Sequence, residues 1–111
     1  ELYKSGGELV MPKEIEDLLS KHPAISQAYA IGIPDERWGD VGCVCVVRAP
    51  GQDITADEVV SLCKQKLARF KVPKHVLFLE ASDLPTTPTG KVQKFRLVEW
   101  AKKQLAAAAS N

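Results

Sequence analysis

Three polar segments of the chain combine residue types that can do chemistry and lack the periodicity of a packed core. The first segment contains two glycines and several charged residues. The second contains a tryptophan with charged neighbours, and the third contains a glycine and a lysine that follow two prolines. They are KSGGELVMPKEIE at residues 4–16, IPDERWGDVG at residues 33–42 and LPTTPTGKVQK at residues 84–94. Because core packing does not explain these segments, we expect function to lie in them.

Lys91 is the first candidate for chemistry. A lysine carries a compact positive charge on a long stem, so its ammonium can contact carboxylate and phosphate oxygens together. Gly90 lets the backbone approach a ligand closely, while Pro85 and Pro88 restrict the loop. The alternative is a solvated surface lysine, which is what most lysines are.

The pair formed by Gly90 and Lys91 is not part of a nucleotide P-loop. That motif requires a glycine at position 85 and a serine or threonine at position 92. The sequence has Pro85 and Val92 at these positions. A P-loop is therefore excluded.

Gly6 and Gly7 are the second candidates. Short stretches of mixed polarity flank them at residues 2–4 and 8–10, and two successive glycines favour a tight turn with positive φ. This pattern predicts a small hairpin. A turn is by itself a sufficient reason for both glycines, and it is compatible with a binding role for the bare backbone.

Hydrophobic periodicity predicts the elements that position these segments. Pro12 suits the first turn of a helix that ends at His22 and Pro23. Thr55 and Glu58 have the spacing of a capping box, so a second helix begins there. The predicted apolar stripe of this helix, which Pro73 ends, is Val59, Leu62, Cys63, Leu67 and Phe70.

The remaining pattern predicts strands at residues 25–33, 41–47 and 76–79, loops at 34–40 and 81–91, and a helix at 93–105. The strand at 41–47 is apolar throughout, which is typical of an inner strand covered on both faces. We predict an α+β fold, a small domain with a three-stranded β-sheet packed by about three helices, plus an N-terminal β-hairpin. The domain is expected to span residues 1–105, followed by a flexible tail at 106–111.

Composition limits the classes of function. The 111 residues, 45% of them apolar, suffice for one core, and 15 basic against 14 acidic residues leave a net charge of +1. So balanced a charge predicts no nucleic-acid binding. No apolar run approaches the roughly 18 residues of a membrane span, and we expect a cytoplasmic protein. Cys43, Cys45 and Cys63 lack the spacing of a metal site, so no metal is predicted and the thiols are expected to be reduced.

Together the three segments resemble the adenylate-forming, AMP-binding enzyme superfamily, which includes acyl-CoA synthetases, peptide-synthetase adenylation domains and luciferases. The similar motifs are a glycine loop leading into P-x-E-I-E, then G-x-P-D-x-x-W-G-D, then P-x-T-x-x-G-K, and F-K-V-P-K at residues 70–74 is a fourth match. The resemblance covers essentially the whole chain. It implies the mobile C-terminal lid domain of an acyl-CoA synthetase, without its large N-terminal domain, and therefore a piece of a longer protein that is inert alone.

The resemblance also implies roles for individual residues. Lys91 corresponds to the catalytic lysine of adenylation, and Gly6 and Gly7 correspond to the loop along which the pantetheine arm of CoA passes. Positions like Trp38, Phe70 and Lys74 lie around the CoA nucleotide in some relatives, where an aromatic face stacks on adenine and a lysine neutralises the 3′-phosphate.

One departure from the family pattern concerns the phosphate. Some relatives carry a basic residue where this chain has Val72, so the phosphate contact is expected to be weaker or to be made elsewhere. Lys91 also lies in a P-x-x-x-x-G-K pattern that marks the catalytic lysine for acetylation in several acyl-CoA synthetases. Acetylation would remove its charge.

The full-length enzyme is expected to use a carboxylic acid, ATP with Mg²⁺ and CoA, to release AMP and pyrophosphate, and to bind these mainly through its large N-terminal domain. None is expected to bind tightly to this domain alone. The alternatives are a carrier-protein-loading adenylation enzyme, a luciferase-like enzyme, and a non-catalytic interaction module with this fold. Phe70 could equally be a core residue, Asp35 part of a solvated charged turn, and Glu16 a first-turn acid explained by the helix dipole.

Overall fold

The computed structural model of the protein describes residues 2–109. Two short strands, two long strands, one parallel strand and three α-helices alternate along the chain. In order they are β1 (Tyr3–Ser5), β2 (Glu8–Val10), α1 (Pro12–Leu19), β3 (Ile25–Asp35), β4 (Gly39–Arg48), α2 (Ala56–Lys66), β5 (His75–Phe78) and α3 (Lys94–Ala109). Short 3₁₀ turns lie at Arg69–Lys71 and Ala81–Asp83.

Strand β4 is the centre of the sheet. One edge pairs with β3 in an antiparallel ladder. The other edge has two partners: β1 bonds at its start, where Ser5 faces Gly39, and β5 runs parallel to it from Cys43 onward. The parallel pairing requires a crossover, which α2 supplies. The predicted hairpin therefore forms but is bonded into the sheet, which has five strands in all.

Helices cover both faces of the sheet, as predicted for an inner strand at residues 41–47. On one face α1 packs against β3 and α2 against β5, and the core beneath them includes Ile15, Val44, Val46, Val59 and Cys63. On the other face α3 packs, and this core includes Ile31, Cys43, Cys45, Leu97 and Ala101. Alternate residues of β4 thus face different helices, and the three cysteines are buried and free.

Tyr3 fixes the hairpin on the sheet. Its side chain is 6% exposed and lies over Gly32 of β3 and Gly42 of β4. A Cβ at Gly32 would lie 2.6 Å from the Tyr3 Cβ, and a Cβ at Gly42 would lie 2.6 Å from the Tyr3 hydroxyl oxygen. Only glycine leaves this room. Burial, and to a smaller extent the neighbouring Cys43 thiol, raises the pKa of Tyr3 to about 12.

The capping box of α2 is present, with Thr55 and Glu58 each accepting the backbone N–H of the other. The predicted C-terminal extension of this helix is wrong. Leu67 takes an extended conformation, so α2 ends at Lys66, and Phe70 lies in the separate 3₁₀ turn. The apolar period continues past Leu67 because the turn packs on the same core, which a periodicity argument does not separate from a helix.

Two predicted loops are more ordered than expected. Residues 34–40 form a tight connection, because β3 continues to Asp35 and β4 begins at Gly39. The segment at 81–91 contains a 3₁₀ turn, and Thr86 forms a β-bridge with Val92.

Helix α3 extends beyond the predicted residue 105 to Ala109. The flexible tail at 106–111 stays a prediction, with residues 110 and 111 outside the described part of the chain. No helix within residues 2–109 is long and apolar enough to cross a membrane. The predicted α+β class is confirmed.

Candidate functional site

A groove of about 550 Å³ lies where β1 and β5 flank the edge of β4. Hairpin, strand connection and 3₁₀ turn all contribute to its wall, which is lined by Ser5, Gly6, Glu8, Trp38, Val41, Arg69, Phe70, Val72 and Lys74. Four of the five residues predicted to surround CoA therefore meet in one cavity: Gly6, Trp38, Phe70 and Lys74. Gly7 lies in the same turn but does not line it.

Gly6 and Trp38 are joined directly. The Gly6 N–H donates to the Trp38 carbonyl oxygen at 3.0 Å, and a Cβ on Gly6 would lie 3.2 Å from Trp38 Cε3. Gly6 has a φ of 59° and Gly7 a φ of 86°, both in the left-handed region, but a Cβ on Gly7 would meet nothing within 4 Å. The turn therefore needs both glycines for conformation, while only Gly6 is needed for the contact with tryptophan.

Asp35 shapes this groove, so it is more than a member of a solvated turn. One carboxylate oxygen accepts the backbone N–H groups of Arg37 and Trp38, at 2.8 and 3.1 Å. The other lies 3.2 Å from the Lys74 ammonium. The Arg37 N–H, assisted by Lys74, lowers the pKa of the Asp35 carboxyl below its usual value. Burial and then Lys74 lower the pKa of His75, which is next in the chain.

The groove presents two aromatic rings. Trp38 is 49% exposed, and the Arg37 guanidinium lies 5.4 Å from its ring centroid. Phe70 is half-buried and packs against the core as well as lining the groove, so its core and site interpretations hold together. Such faces can stack on a planar base.

Arg69 is a groove residue that sequence reasoning missed. Among the described residues, its side chain has no ion pair, whereas Lys74 is paired with Asp35 and Lys71 lies 2.8 Å from Glu14. Arg69 is thus the cation of this wall without a carboxylate partner in residues 2–109. The sequence signal available for it was the expectation that a phosphate contact not made at Val72 is made elsewhere.

The loop that carries Lys91 is held by Thr87. The Thr87 N–H donates to the Lys91 carbonyl at 2.8 Å, and the Lys91 N–H donates to Thr87 Oγ1 at 3.1 Å. Gly90 closes the turn between them by donating to the Thr87 carbonyl at 2.8 Å, with a φ of 88° that favours glycine. Lys91 therefore has a fixed backbone although its side chain is exposed.

Lys91 lies in a second cavity of about 580 Å³, lined by Lys13, Glu16, Tyr29, Gly90, Lys91, Val92 and Lys94. Within residues 2–109 the Lys91 ammonium makes no ion pair or hydrogen bond. The two cavities share no lining residue. No group of three or more histidine, cysteine or acidic side chains in the described part of the chain could hold a metal ion.

Glu16 and Lys94 form an ion pair beside Lys91, with 2.6 Å between Glu16 Oε2 and Lys94 Nζ. The same carboxylate oxygen accepts the Ala30 N–H at 2.9 Å. Explaining Glu16 by the helix dipole alone was therefore incomplete. One signal was available in the sequence, because a lysine at the first position of a helix is unfavourable without a compensating anion.

The chain belongs to the family of AMP-binding enzyme C-terminal domains, whose sequence profile matches residues 14–91. The resemblance to the C-terminal domain of acyl-CoA synthetases is thereby confirmed.

Its relatives are much longer proteins. The mitochondrial medium-chain acyl-CoA ligase ACSF2 of Danio rerio is 44% identical over 105 residues, which are 95% of this chain and 17% of that protein. Apo MatB from Rhodopseudomonas palustris superposes with a TM-score of 0.86 at 38% identity, over 92% of this chain and 20% of that one. A Mycobacterium tuberculosis fatty acyl CoA synthetase superposes with a TM-score of 0.81 at 39% identity, over 89% of this chain and 19% of that one. The chain thus spans about a fifth or less of these proteins.

Proposed function

We propose that this chain is the mobile C-terminal domain of an acid–CoA ligase and that it serves both half-reactions. The observation that carries the proposal is the pair of separate cavities: one contains a backbone-clamped Lys91, and the other contains Gly6, Trp38, Phe70 and Lys74. The kinship with acyl-CoA ligases supports it. The acid, ATP and Mg²⁺ are bound by a large N-terminal domain.

In the first half-reaction, Lys91 stabilises charge. A carboxylate oxygen attacks the α-phosphorus of ATP, the bond from that phosphorus to the bridging oxygen breaks, and pyrophosphate leaves with the electron pair. An anion approaches an anion, and charge develops on the phosphoryl oxygens. A positioned ammonium lowers that barrier. The two hydrogen bonds with Thr87 and the positive φ of Gly90 support this role, because they fix where the lysine stem starts.

In the second half-reaction, the groove positions CoA. The thiolate sulfur attacks the acyl carbonyl carbon of acyl-AMP, and the bond from that carbon to the AMP oxygen breaks, giving thioester and AMP. The pantetheine arm passes the glycine turn, and the adenine lies against Trp38 and Phe70. The groove volume is within the range of about 300 to 1,000 Å³ found for ligand sites.

The 3′-phosphate of CoA contacts Arg69 and Lys74. Val72 lies between these residues and carries no charge. The Lys74 charge is already compensated by Asp35, so Arg69 supplies most of the uncompensated positive charge of the wall. A guanidinium also suits a phosphate, because it can donate two hydrogen bonds at once.

The domain rotates between the half-reactions. Both reactions take place on the same acyl group, which stays in the large domain. The two cavities share no lining residue, which supports a cycle in which each placement of this domain presents one of them to the acyl group. Rotation of the domain as one body would present each cavity in turn, with Lys91 leaving the acyl group as the groove approaches it.

Acetylation of Lys91 would stop the first half-reaction by removing its charge. The exposed side chain is accessible to such a modification. The cytoplasmic location stays a prediction, and the names of several relatives include the word mitochondrial.

The experiment measures both half-reactions in the full-length protein. Acid-dependent exchange of pyrophosphate into ATP reports adenylation, and consumption of supplied acyl-AMP reports thiol transfer. Transfer to free CoA but not to phosphopantetheine on a carrier protein is expected, because only CoA brings the nucleotide that the groove fits. Preference for the carrier would favour the carrier-loading alternative, and absence of exchange with every acid would favour the non-catalytic interaction module.

A further inference from the structure

The ion pair between Glu16 and Lys94 joins three elements that are distant in sequence. Glu16 belongs to α1 and Lys94 begins α3, while Ala30, whose N–H also reaches Glu16, lies in β3. Both charged side chains are only about one-fifth exposed, at 22% and 21%. A pair with so little exposure is costly to break, so the contact favours one arrangement of these elements.

Lys94 stands where the helix dipole disfavours a cation. The free N–H groups at the start of α3 carry partial positive charge, and this helix has no acidic residue in its first turn. Glu16 brings a negative charge to this position from another element. The pair therefore compensates the start of α3 as well as holding it against α1.

Lys94 is also the end of the Lys91 loop. The Gln93 N–H donates to the Pro85 carbonyl at 2.8 Å, and Thr86 bridges Val92, so the two ends of the loop are tied together. The next residue is Lys94. Any shift of Lys94 away from α1 therefore moves the base of the loop, and Lys91 with it.

We infer that Glu16 and Lys94 are positioning residues that set the place of the Lys91 ammonium for adenylation, an inference that rests on the proposed function. Both line the Lys91 cavity, but Lys91 supplies the charge and the pair holds the loop. A displacement of about 1 Å can cost a reaction about a hundredfold when a catalytic group is misplaced. Loss of the ion pair should slow adenylation by less than this hundredfold, because the loop keeps its own hydrogen bonds.

The test uses Glu16→Gln and Lys94→Gln in the full-length protein, singly and together. Each single variant is expected to slow acyl-adenylate formation about tenfold in kcat with little change in the KM for ATP. The double variant is expected to be no slower than either single one, because contacts that act as a unit are not additive. Lys94→Arg, which keeps a cation opposite Glu16, is expected to retain most of the rate.

Thioester formation from supplied acyl-AMP is the internal measure of folding. It uses the other cavity of the same domain, so it is expected to stay within about twofold of the wild type. Equal loss of both half-reactions would reduce the pair to a general structural role and overturn the inference. A slow Lys94→Gln beside an unaffected Glu16→Gln would also overturn it, because Lys94 would then act independently of Glu16.

Lys102→Gln is the matched control, since it removes a lysine that pairs with Glu99 on the exposed side of α3 at 3.5 Å. It is expected to change neither half-reaction. Lys91→Ala, measured alongside, distinguishes a failure of the positioning role from a failure of the proposed function. If Lys91→Ala is slow in adenylation but Glu16→Gln is normal, the positioning role alone is overturned; if Lys91→Ala adenylates normally, the proposed function fails as well.

Discussion

The Lys91 loop is held by contacts within nine residues and by one ion pair, whereas the groove around Trp38 is assembled from three separate parts of the chain. The loop delivers a single charge from an exposed position. The groove presents rings, cations and bare backbone along the edge of the central strand. This difference predicts that loss of Lys91 almost stops acyl-adenylate formation. Single substitutions in the groove are each expected to weaken CoA binding or thioester formation by a small amount.

Lys91→Ala is expected to have the largest effect of the substitutions that separate the loop from the groove. Removal of the ammonium should slow acyl-adenylate formation by about a hundredfold to a thousandfold, as for other preorganised charge-stabilising groups. Thioester formation from supplied acyl-AMP should be nearly normal. Single-turnover measurements of both steps in the full-length protein check this, and equal loss in the two would contradict the division of roles between the cavities.

Arg69→Met is expected to raise the KM for CoA about tenfold, which corresponds to the loss of one charge-assisted contact. The KM for 3′-dephospho-CoA should hardly change, because that compound lacks the phosphate. Lys103→Met, which removes an exposed cation from α3, is the control and should alter neither value. A similar rise with both forms of CoA would show that Arg69 does not contact the 3′-phosphate.

The two glycines of the hairpin offer a matched pair. Gly6→Ala and Gly7→Ala share the strain of a positive φ, roughly 1 kcal/mol each, but only Gly6→Ala pushes a Cβ against Trp38. Thioester formation is therefore expected to slow about fivefold in Gly6→Ala and less in Gly7→Ala, with adenylation preserved in both. Equal effects of the two substitutions would indicate that the glycines serve only the turn.

The smallest expected effect is on the pH dependence of stability, through the buried Tyr3 that packs the hairpin on the sheet. The pKa of Tyr3 is about 12 in the folded chain and about 10 when unfolded, so the unfolded state loses its proton first as the pH rises. The contribution of Tyr3 to stability is complete below about pH 10 and is lost toward pH 12. Tyr3 alone should therefore lower the free energy of unfolding by about 1 kcal/mol between about pH 9 and pH 11.

Tyr3→Phe is expected to flatten this dependence in chemical denaturation at each pH. Burial raises the pKa of Cys63 to about 11 and raises that of Tyr29 as well, so part of the slope should persist. An unchanged slope in Tyr3→Phe would mean that Tyr3 is not buried in solution as described.

Local signals in the sequence were sufficient to predict where some elements begin. Thr55 and Glu58 define the start of α2, because capping is a contact over three residues. The glycines at 6 and 7 define the turn for the same reason. The end of α2 was missed, since Phe70 keeps the apolar period after the helix has stopped.

Long-range contacts account for what the sequence did not predict at the site. Glu16 and Lys94 are 78 residues apart, so only the tertiary fold brings them together. Asp35 looks like any charged turn residue until Lys74 is brought to it from 39 positions away. Gathering Gly6, Trp38, Phe70 and Lys74 in one groove depends on β1 and β5 sharing an edge of β4, which pairing rules alone leave open.

The wedge of Tyr3 over Gly32 and Gly42 has a mechanical consequence. Because Tyr3 packs closely on both strands, the glycine turn and the sheet are expected to behave as one rigid unit. Lys91 is tied to the same frame through α1. If the domain rotates as proposed, the groove and the Lys91 loop would therefore change position together and not one after the other.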